Sequence, residues 1–383
     1  MSVSPQTSNP RDASSESVPI LEVEHLFKVF PISQFNPFAT RRGVHAVEDA
    51  SFALYPGRVT ALVGESGSGK TTIARMLARV YDPTAGSIRF QGKPIPLKGG
   101  KALREYRRHV QLVFQDPFGS LNPVHGVRYH LSRPLRVYGH AHSEAEETEQ
   151  VLALLKRVSL LPADQFIQKY PHQLSGGQRQ RVAIARALAA YPDVLLADEP
   201  VSMLDVSIRL DILGLLLRLK EEEHLALLYI THDIAGARYF SDETFVLYAG
   251  QMVEGGSSEE ITQRPKHPYT QLLLSAAPDP DRMGAEGNGL RALPQRRGEI
   301  PSLITPPSGC RFHPRCPHAM EVCRQRFPLR TDLGGGHWTN CFLYGDGGKD
   351  YERIPLPDAA APVSPAAVQP DGNASNGKSK ENA

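Results

Sequence analysis

Val59-Thr60-Ala61-Leu62-Val63-Gly64-Glu65-Ser66-Gly67-Ser68-Gly69-Lys70-Thr71-Thr72 is the stretch on which the fold turns. Its first five residues are apolar or β-branched and carry no charge, the pattern of a parallel strand buried on both faces. Gly64 to Thr71 then satisfy G-x-x-x-x-G-K-[ST] at every fixed position. An amphipathic helix is expected from Thr72 to Val80. Strand, glycine loop and helix start, in that order, make an anion cradle. Glycines let the backbone curl so that successive N–H groups face one centre. The helix adds the positive end of its dipole.

The anion that suits this cradle is a nucleoside triphosphate. Lys70 reaches its β- and γ-phosphates, and the Thr71 hydroxyl takes a place on Mg²⁺. The expected nucleotide ligands are Gly64, Ser66, Gly67, Gly69, Lys70, Thr71 and Thr72. The motif marks a P-loop NTPase and does not by itself separate kinases, GTPases, helicases and transporters.

Two further apolar runs carry the rest of the chemistry. Val194–Ala197 ends in Asp198-Glu199, and buried strands rarely finish on two acids unless a cation or polar partner awaits them. Asp198 is placed to hold Mg²⁺, directly or through water. Glu199 is then the natural general base for an attacking water. Leu225–Ile230 is followed by His232, which is expected either to contact the γ-phosphate and orient the water or to serve as an ordinary structural hydrogen-bonder. Gln115 closes the run Val110–Phe114, within reach of the Mg²⁺ or the water. Thr71, Gln115 and Asp198 are thus the expected Mg²⁺ group. Glu199, His232 and Gln115 are the expected catalytic group.

Leu174-Ser175-Gly176-Gly177-Gln178 precedes a helix expected from Gln178 to Ala190. Ser175 and Gln178 have capping-box spacing, and a Ser-Gly-Gly helix start is a good anion site. As an ordinary capped helix it would leave unexplained the Gln115 before it and the acid pair after it.

Taken together, these motifs closely resemble the ATP-binding cassette family, over about residues 20–345. The resemblance implies an α/β fold, with a RecA-like core, a helical subdomain and ATP as ligand. It implies that LSGGQ completes the nucleotide site of a facing subunit, so that Ser175, Gly176, Gly177 and Gln178 act on ATP held by the partner's loop. Ser202-Met203-Leu204-Asp205 is similar to the family's D-loop, which communicates across the dimer. The family more often has Ala where Met203 stands. Phe30, in Lys28-Val29-Phe30-Pro31, matches the aromatic that stacks on adenine, or else is a core phenylalanine.

Later segments narrow the resemblance. His267-Pro268-Tyr269-Thr270-Gln271-Leu272-Leu273, Gly298-Glu299-Ile300-Pro301-Ser302, Pro306-Pro307-Ser308-Gly309-Cys310 and Arg315-Cys316 are similar to the C-terminal extension of dipeptide/oligopeptide importer ATPases. Gln115-Asp116-Pro117-Phe118-Gly119-Ser120-Leu121-Asn122-Pro123 matches the same group. The long segment after Phe30 looks most like the F type of subunit, which pairs with a D type.

Composition bounds the remaining choices. The 383 residues are 40% hydrophobic and 22% charged with a net charge of +2, so charge alone implies neither nucleic acid nor an anionic membrane surface. No run approaches the roughly 18 apolar residues that span a bilayer, and the polar N-terminus is not expected to act as a secretory signal. The expected organisation is a disordered 1–18, a cassette over 19–256, a loop-rich extension over 257–345 and a disordered tail over 346–383. All four cysteines lie in the extension, as Cys310-x5-Cys316-x6-Cys323-x17-Cys341. In a reducing compartment they are not expected to pair as disulfides. They are the ligands of a 4Fe–4S cluster, of Zn²⁺, or they are plain structural thiols, with the cluster ahead of zinc.

The functional expectation is an ATPase on the cytoplasmic face of the membrane, energising import of di- or oligopeptides. Its implied partners are a second ATPase of the D type, two transmembrane permeases and an extracytoplasmic binding protein. Nickel and oligosaccharides are the alternative cargoes. A soluble ATPase acting on DNA or ribosomes is the rival class. It is disfavoured by the lack of sustained heptads between Gly69 and Ser175 and by the single phosphate loop.

Overall fold

The computed structural model describes residues 18–32, 42–96, 99–276 and 299–350. The expected disordered ends fall almost wholly outside these residues, as do Gly298 and positions 33–41 of the F-type segment.

The strands in chain order begin with β1 (Leu21–Ile32), β2 (Arg42–Leu54), β3 (Val59–Val63), β4 (Ala85–Phe90) and β5 (Lys93–Pro94). They continue with β6 (Val110–Val113), β7 (Val194–Asp198), β8 (Ala226–Thr231), β9 (Glu243–Tyr248) and β10 (Gln251–Ser257). The extension adds β11 (Arg326–Pro328), β12 (Thr331–Asp332), β13 (Trp338–Thr339) and β14 (Gly348–Asp350). One sheet runs β5-β4-β1-β2-β10-β9-β3-β8-β7-β6. Its half from β6 through β7, β8 and β3 to β9 is parallel. Its other half is antiparallel, apart from one parallel pairing of Gln251 with Glu48. The α/β expectation holds.

The parallel strands are apolar on both faces because both faces are covered. Val59, Ala61 and Val63 of β3, with Leu195 and Ala197 of β7 and Leu227 and Tyr229 of β8, point into one core. That core is closed by the helices Val127–Val137, Glu144–Arg157 and Gly176–Leu188. The alternate residues Leu62, Val194, Leu196, Leu228 and Ile230 point into the other core, with Ile73, Met76 and Leu77 of the helix Lys70–Leu77. The two-residue period of a strand divides one apolar run between two cores. Register then lines up the strand ends, with Val63 opposite Thr231 and Asp198 opposite Ile230.

Two helix boundaries differ from expectation. The first helix starts at Lys70 and stops at Leu77, short of Val80, and Arg79 beyond it takes a left-handed φ of 55°. The signature helix begins at Gly176 and ends at Leu188, two residues early at each end. Ser175 is the N-cap and Gln178 the third helical residue. Their reciprocal bonds place two poor helix formers, Gly176 and Gly177, inside the first turn.

The extension is fastened to the sheet by buried charge. Glu254 of β10 is fully buried and accepts from the backbone N–H groups of Lys266 (2.7 Å) and His267 (3.0 Å). His337 Nε2 lies 2.7 Å from the same carboxylate. Arg311, also buried, donates to the carbonyl of Ala249 and sets its Nη2 2.6 Å from Glu48 Oε2 as an ion pair without hydrogen-bond alignment. Breaking one side of a buried pair strands the other charge and costs about 3–5 kcal/mol. Arg311→Ala is expected to lower the unfolding free energy by that amount in urea titrations. Arg311→Met with Glu48→Gln should recover most of the loss, and equal loss in both variants would show that packing, not charge, holds this joint.

Candidate active site

The phosphate loop leaves β3 through backbone that favours glycine. Gly67 has φ 77° and Gly69 φ 104°. A Cβ on Gly69 would sit 2.3 Å from the Ala46 carbonyl oxygen, whereas one on Gly67 would meet nothing within 4 Å. Lys70 is buried and folds back over the loop. Its Nζ donates to the carbonyls of Gly64 (2.7 Å) and Glu65 (3.0 Å). Burial pulls its pKa down, against the opposing pull of Glu199, Asp198 and Glu65.

Asp198 ends β7 with 3% exposure and accepts a hydrogen bond from Thr71 Oγ1 at 3.0 Å. Burial raises its pKa, partly offset by the Thr71 bond. Two hard oxygen donors on adjoining elements, one of them a carboxylate, suit Mg²⁺.

Glu199, the next residue, adopts φ 44° and ties its N–H to the Ile230 carbonyl at 3.0 Å. A non-glycine residue held there stores about 1–3 kcal/mol of strain. The turn separates two adjacent acids, so that Asp198 faces Thr71 while Glu199 faces two other groups. Gln115 Nε2 donates to Glu199 Oε2 at 3.1 Å, and His232 Nδ1 lies 3.4 Å from the same oxygen. The Glu199 side chain is 15% exposed and that of His232 60%. The two groups thus converge on one carboxylate oxygen, from the ends of β6 and β8. Gln115 sits on Glu199 and makes no bond to the Thr71–Asp198 pair.

The other expected residues lie elsewhere. Half-buried Phe30 meets Tyr81 edge-on at 5.3 Å, with the Lys28 ammonium 4.9 Å above its ring. Ser175 is exposed at its helix start, and Gly176 and Gly177 back onto Leu204 and Ile208. Ser66 is exposed on the phosphate loop and Thr72 half-buried on its helix. Asp205 caps the helix Val206–Glu223 with its backbone alone and is exposed beside Met203.

The four cysteines line one small pocket with His267, Phe312 and His313, and none is in a disulfide. Burial and mutual proximity push Cys310 up to about 12 and Cys341 up to about 11, which keeps both protonated. Among the described residues no set of three or more His, Cys, Asp and Glu side chains is arranged to hold a metal ion. The expected cluster or zinc therefore finds its four thiols gathered but no preformed ligand cage.

Sequence reasoning missed the extension's hold on the phosphate loop. Arg315 grips the Glu65 carboxylate with both terminal guanidinium nitrogens, and the Glu65 N–H donates to Tyr269 Oη. Partners 250 and 204 residues away leave no local pattern to read.

Residues 47–202 match the family model described as ABC transporter. Residues 253–323 match that described as oligopeptide/dipeptide transporter, C-terminal region. The oligopeptide transport ATP-binding protein AppF of Bacillus subtilis (strain 168) is 42% identical over 327 residues, 85% of this chain and 97% of its own. OppF of Haemophilus influenzae, under the same description, is 41% identical over 324 residues, 84% and 96% of the two chains. Among solved structures, cbiO1 from Clostridium perfringens, part of the ABC transporter complex cbiONQ, superposes with a TM-score of 0.55 at 30% identity, covering 64% of this chain and 91% of its own. The ATP-binding cassette MJ0796, a dimer in a post-hydrolysis state bound to ADP and Pi, has a TM-score of 0.55 at 29% identity, with 62% and 98% coverage.

The glycine geometry orders two substitutions. Gly67→Ala meets only backbone strain, of about 1–2 kcal/mol. Gly69→Ala adds a collision with the Ala46 carbonyl. Thermal denaturation without nucleotide should therefore rank Gly69→Ala well below Gly67→Ala, and the reverse order would contradict the loop geometry.

Proposed function

The chain belongs to the oligopeptide transport ATP-binding proteins of the ABC transporter family, and from that premise we propose how its residues divide the work. It is the ATP-hydrolysing subunit of an ABC importer of peptides and works with membrane permeases. Among the described residues no helix is long and apolar enough to cross a membrane. We place it on the cytoplasmic face, with a D-type paralogue, two permeases and an extracytoplasmic binding protein as its assembly.

In this reading Gly64, Ser66, Gly67, Gly69, Lys70, Thr71 and Thr72 hold the phosphates of ATP, and Phe30 holds its adenine. Thr71 and Asp198 would hold Mg²⁺, and Gln115, bonded here to Glu199, is the third residue assigned to it. Held there, Mg²⁺ would offset the charge of the phosphates. Glu199 takes a proton from water as its oxygen attacks the γ-phosphorus and ADP leaves. Gln115 and His232 keep the Glu199 carboxylate aimed. Their convergence on one Glu199 oxygen, beside the Thr71–Asp198 pair, is the observation that carries this assignment. Ser175, Gly176, Gly177, Gln178 and Asp205 serve the ATP of the facing subunit. The exposure of Ser175 at its helix start and of Asp205 in the neighbouring turn supports that role. Phe114, Gln115, Val137 and Tyr138 line a groove of about 720 Å³ next to the catalytic glutamine, which suits a permease's cytoplasmic segment.

The domain reading remains a cassette over 19–256 and an extension over 257–345. That a 4Fe–4S cluster staples the extension rests on the gathering of four thiols alone. Iron and acid-labile sulfide in equal amounts in anaerobically prepared protein would support it. Their absence from folded, active protein leaves Cys310, Cys316, Cys323 and Cys341 as apolar packing.

Glu199→Gln is expected to reduce phosphate release by about 10²–10⁴-fold while ATP still binds. Hydrolysis near the native rate would remove Glu199 as the base. In cells, the same variant should abolish uptake of labelled di- to pentapeptides and leave Ni²⁺ and oligosaccharide uptake untouched. Loss of sugar or nickel uptake instead would keep the mechanism and change the cargo.

A further inference from the structure

We propose that the C-terminal extension sets ATP affinity by holding Glu65 of the phosphate loop, with Arg315 neutralising its carboxylate and Tyr269 fixing its backbone. This rests on the nucleotide site assigned above. Arg315 and Tyr269 are positioning residues, since neither touches the phosphate-holding groups except through Glu65.

Glu65 is the one acid within Gly64–Thr71, set where a polyanion must approach. All three of its polar groups are engaged. Its carboxylate takes the two-pronged guanidinium of Arg315, Nη1 to Oε2 at 2.8 Å and Nη2 to Oε1 at 3.1 Å. Its N–H donates to Tyr269 Oη at 2.9 Å, and its carbonyl accepts from Lys70 Nζ at 3.0 Å. A bidentate charge-assisted pair is among the stronger and more directional contacts available. This one is largely shielded, with side-chain exposures of 13% for Arg315 and 28% for Glu65, so solvent screens it less than a surface pair.

The grip is built rigidly. Arg315 lies in a short turn in which its own N–H and that of Cys316 both donate to the Phe312 carbonyl at 3.0 Å. Its guanidinium stands 5.7 Å from the Tyr248 ring and 5.9 Å from that of Phe312. Tyr269 is fully buried, with its ring 4.5 Å from Tyr248 and 5.5 Å from Phe312. Two aromatic rings, Tyr248 and Phe312, thus anchor both residues that reach the loop, and Tyr248 ends the cassette strand β9. With Arg315 in place, the acid presents no net charge to the incoming phosphates. Without it, a carboxylate stands uncompensated at the mouth of the site and repels them.

The test uses the full chain and Mg²⁺-ATP, with affinity from equilibrium binding and KM and kcat from phosphate release. Arg315→Ala is expected to raise Kd and KM for ATP about tenfold, with kcat changed less than about twofold. Arg315→Lys should recover part of the loss, since it restores charge without the fork. Adding Glu65→Gln to Arg315→Ala should bring Kd back to within about threefold of the native value, because the uncompensated acid is gone. Tyr269→Phe keeps the ring and removes the acceptor. It should weaken ATP binding severalfold with an unchanged Tm, and it serves where Arg315→Ala fails to fold. An unchanged Kd in Arg315→Ala overturns the proposal, as does a loss that Glu65→Gln leaves unrelieved. An unchanged Kd in Tyr269→Phe does so where Arg315→Ala does not fold. Lys70→Ala separates this from the underlying reading. If Lys70→Ala binds ATP as tightly as the native chain, the nucleotide site itself is misassigned. If it loses ATP while Arg315→Ala does not, only the role of the extension falls.

Discussion

The register of three buried parallel strands governs everything chemical in this molecule. β3, β7 and β8 end within a residue of one another, so the loop after Val63, the acids after Ala197 and the histidine after Thr231 emerge along one edge. Apolar strands buried on both faces cannot slip by one residue, because a slip would exchange every side chain between two differently shaped cores. The precision of the site is therefore inherited from packing tens of residues away. Polar groups whose positions are set this way need little reorganisation when a charged ligand arrives.

Within that edge, the fold manages an excess of buried charge by directing it. Asp198 and Glu199 are adjacent in sequence, and on a straight strand they would point to opposite faces of the sheet. The left-handed turn at Glu199 sends one acid to Thr71 and the other to Gln115 and His232. Lys70 opposes both from the loop. Each of these groups is partly desolvated, which strengthens its field toward anything bound between them and makes an unmatched charge expensive. The same matching appears where the extension meets the sheet, where buried Glu254 is answered by two backbone N–H groups and His337, and buried Glu48 by Arg311, His45 and Gln251.

What was legible in advance was what is local. The glycine loop, the two acids closing an apolar run and the Ser175–Gln178 box each announce themselves within about eight residues, because the physics that requires them acts over one turn or one strand end. The α/β class followed from apolar runs alternating with helical patterns and from the family resemblance. Helix ends were misjudged by two or three residues, because an N-cap and a left-handed Arg79, not amphipathicity, set them. The alternatives for Phe30 were adenine platform or core, and it sits half-buried against Tyr81. The long-range joints were invisible. Arg311 and Arg315 stand in a Pro- and Cys-rich stretch that looks like exposed loop, and nothing nearby in the chain says that Glu48 or Glu65 awaits them.

Arg315 and Cys316 are consecutive, so a single peptide bond joins the thiol pocket to the phosphate loop. Free-energy coupling between two sites is reciprocal. Whatever the extension contributes to nucleotide binding, bound nucleotide must return to the extension. The cysteine-bearing segment would then be most firmly seated when the cell is rich in ATP and loosest when it is starved. An appendage that looks like mere scaffolding would in that way register the energy charge of the cell in its own stability.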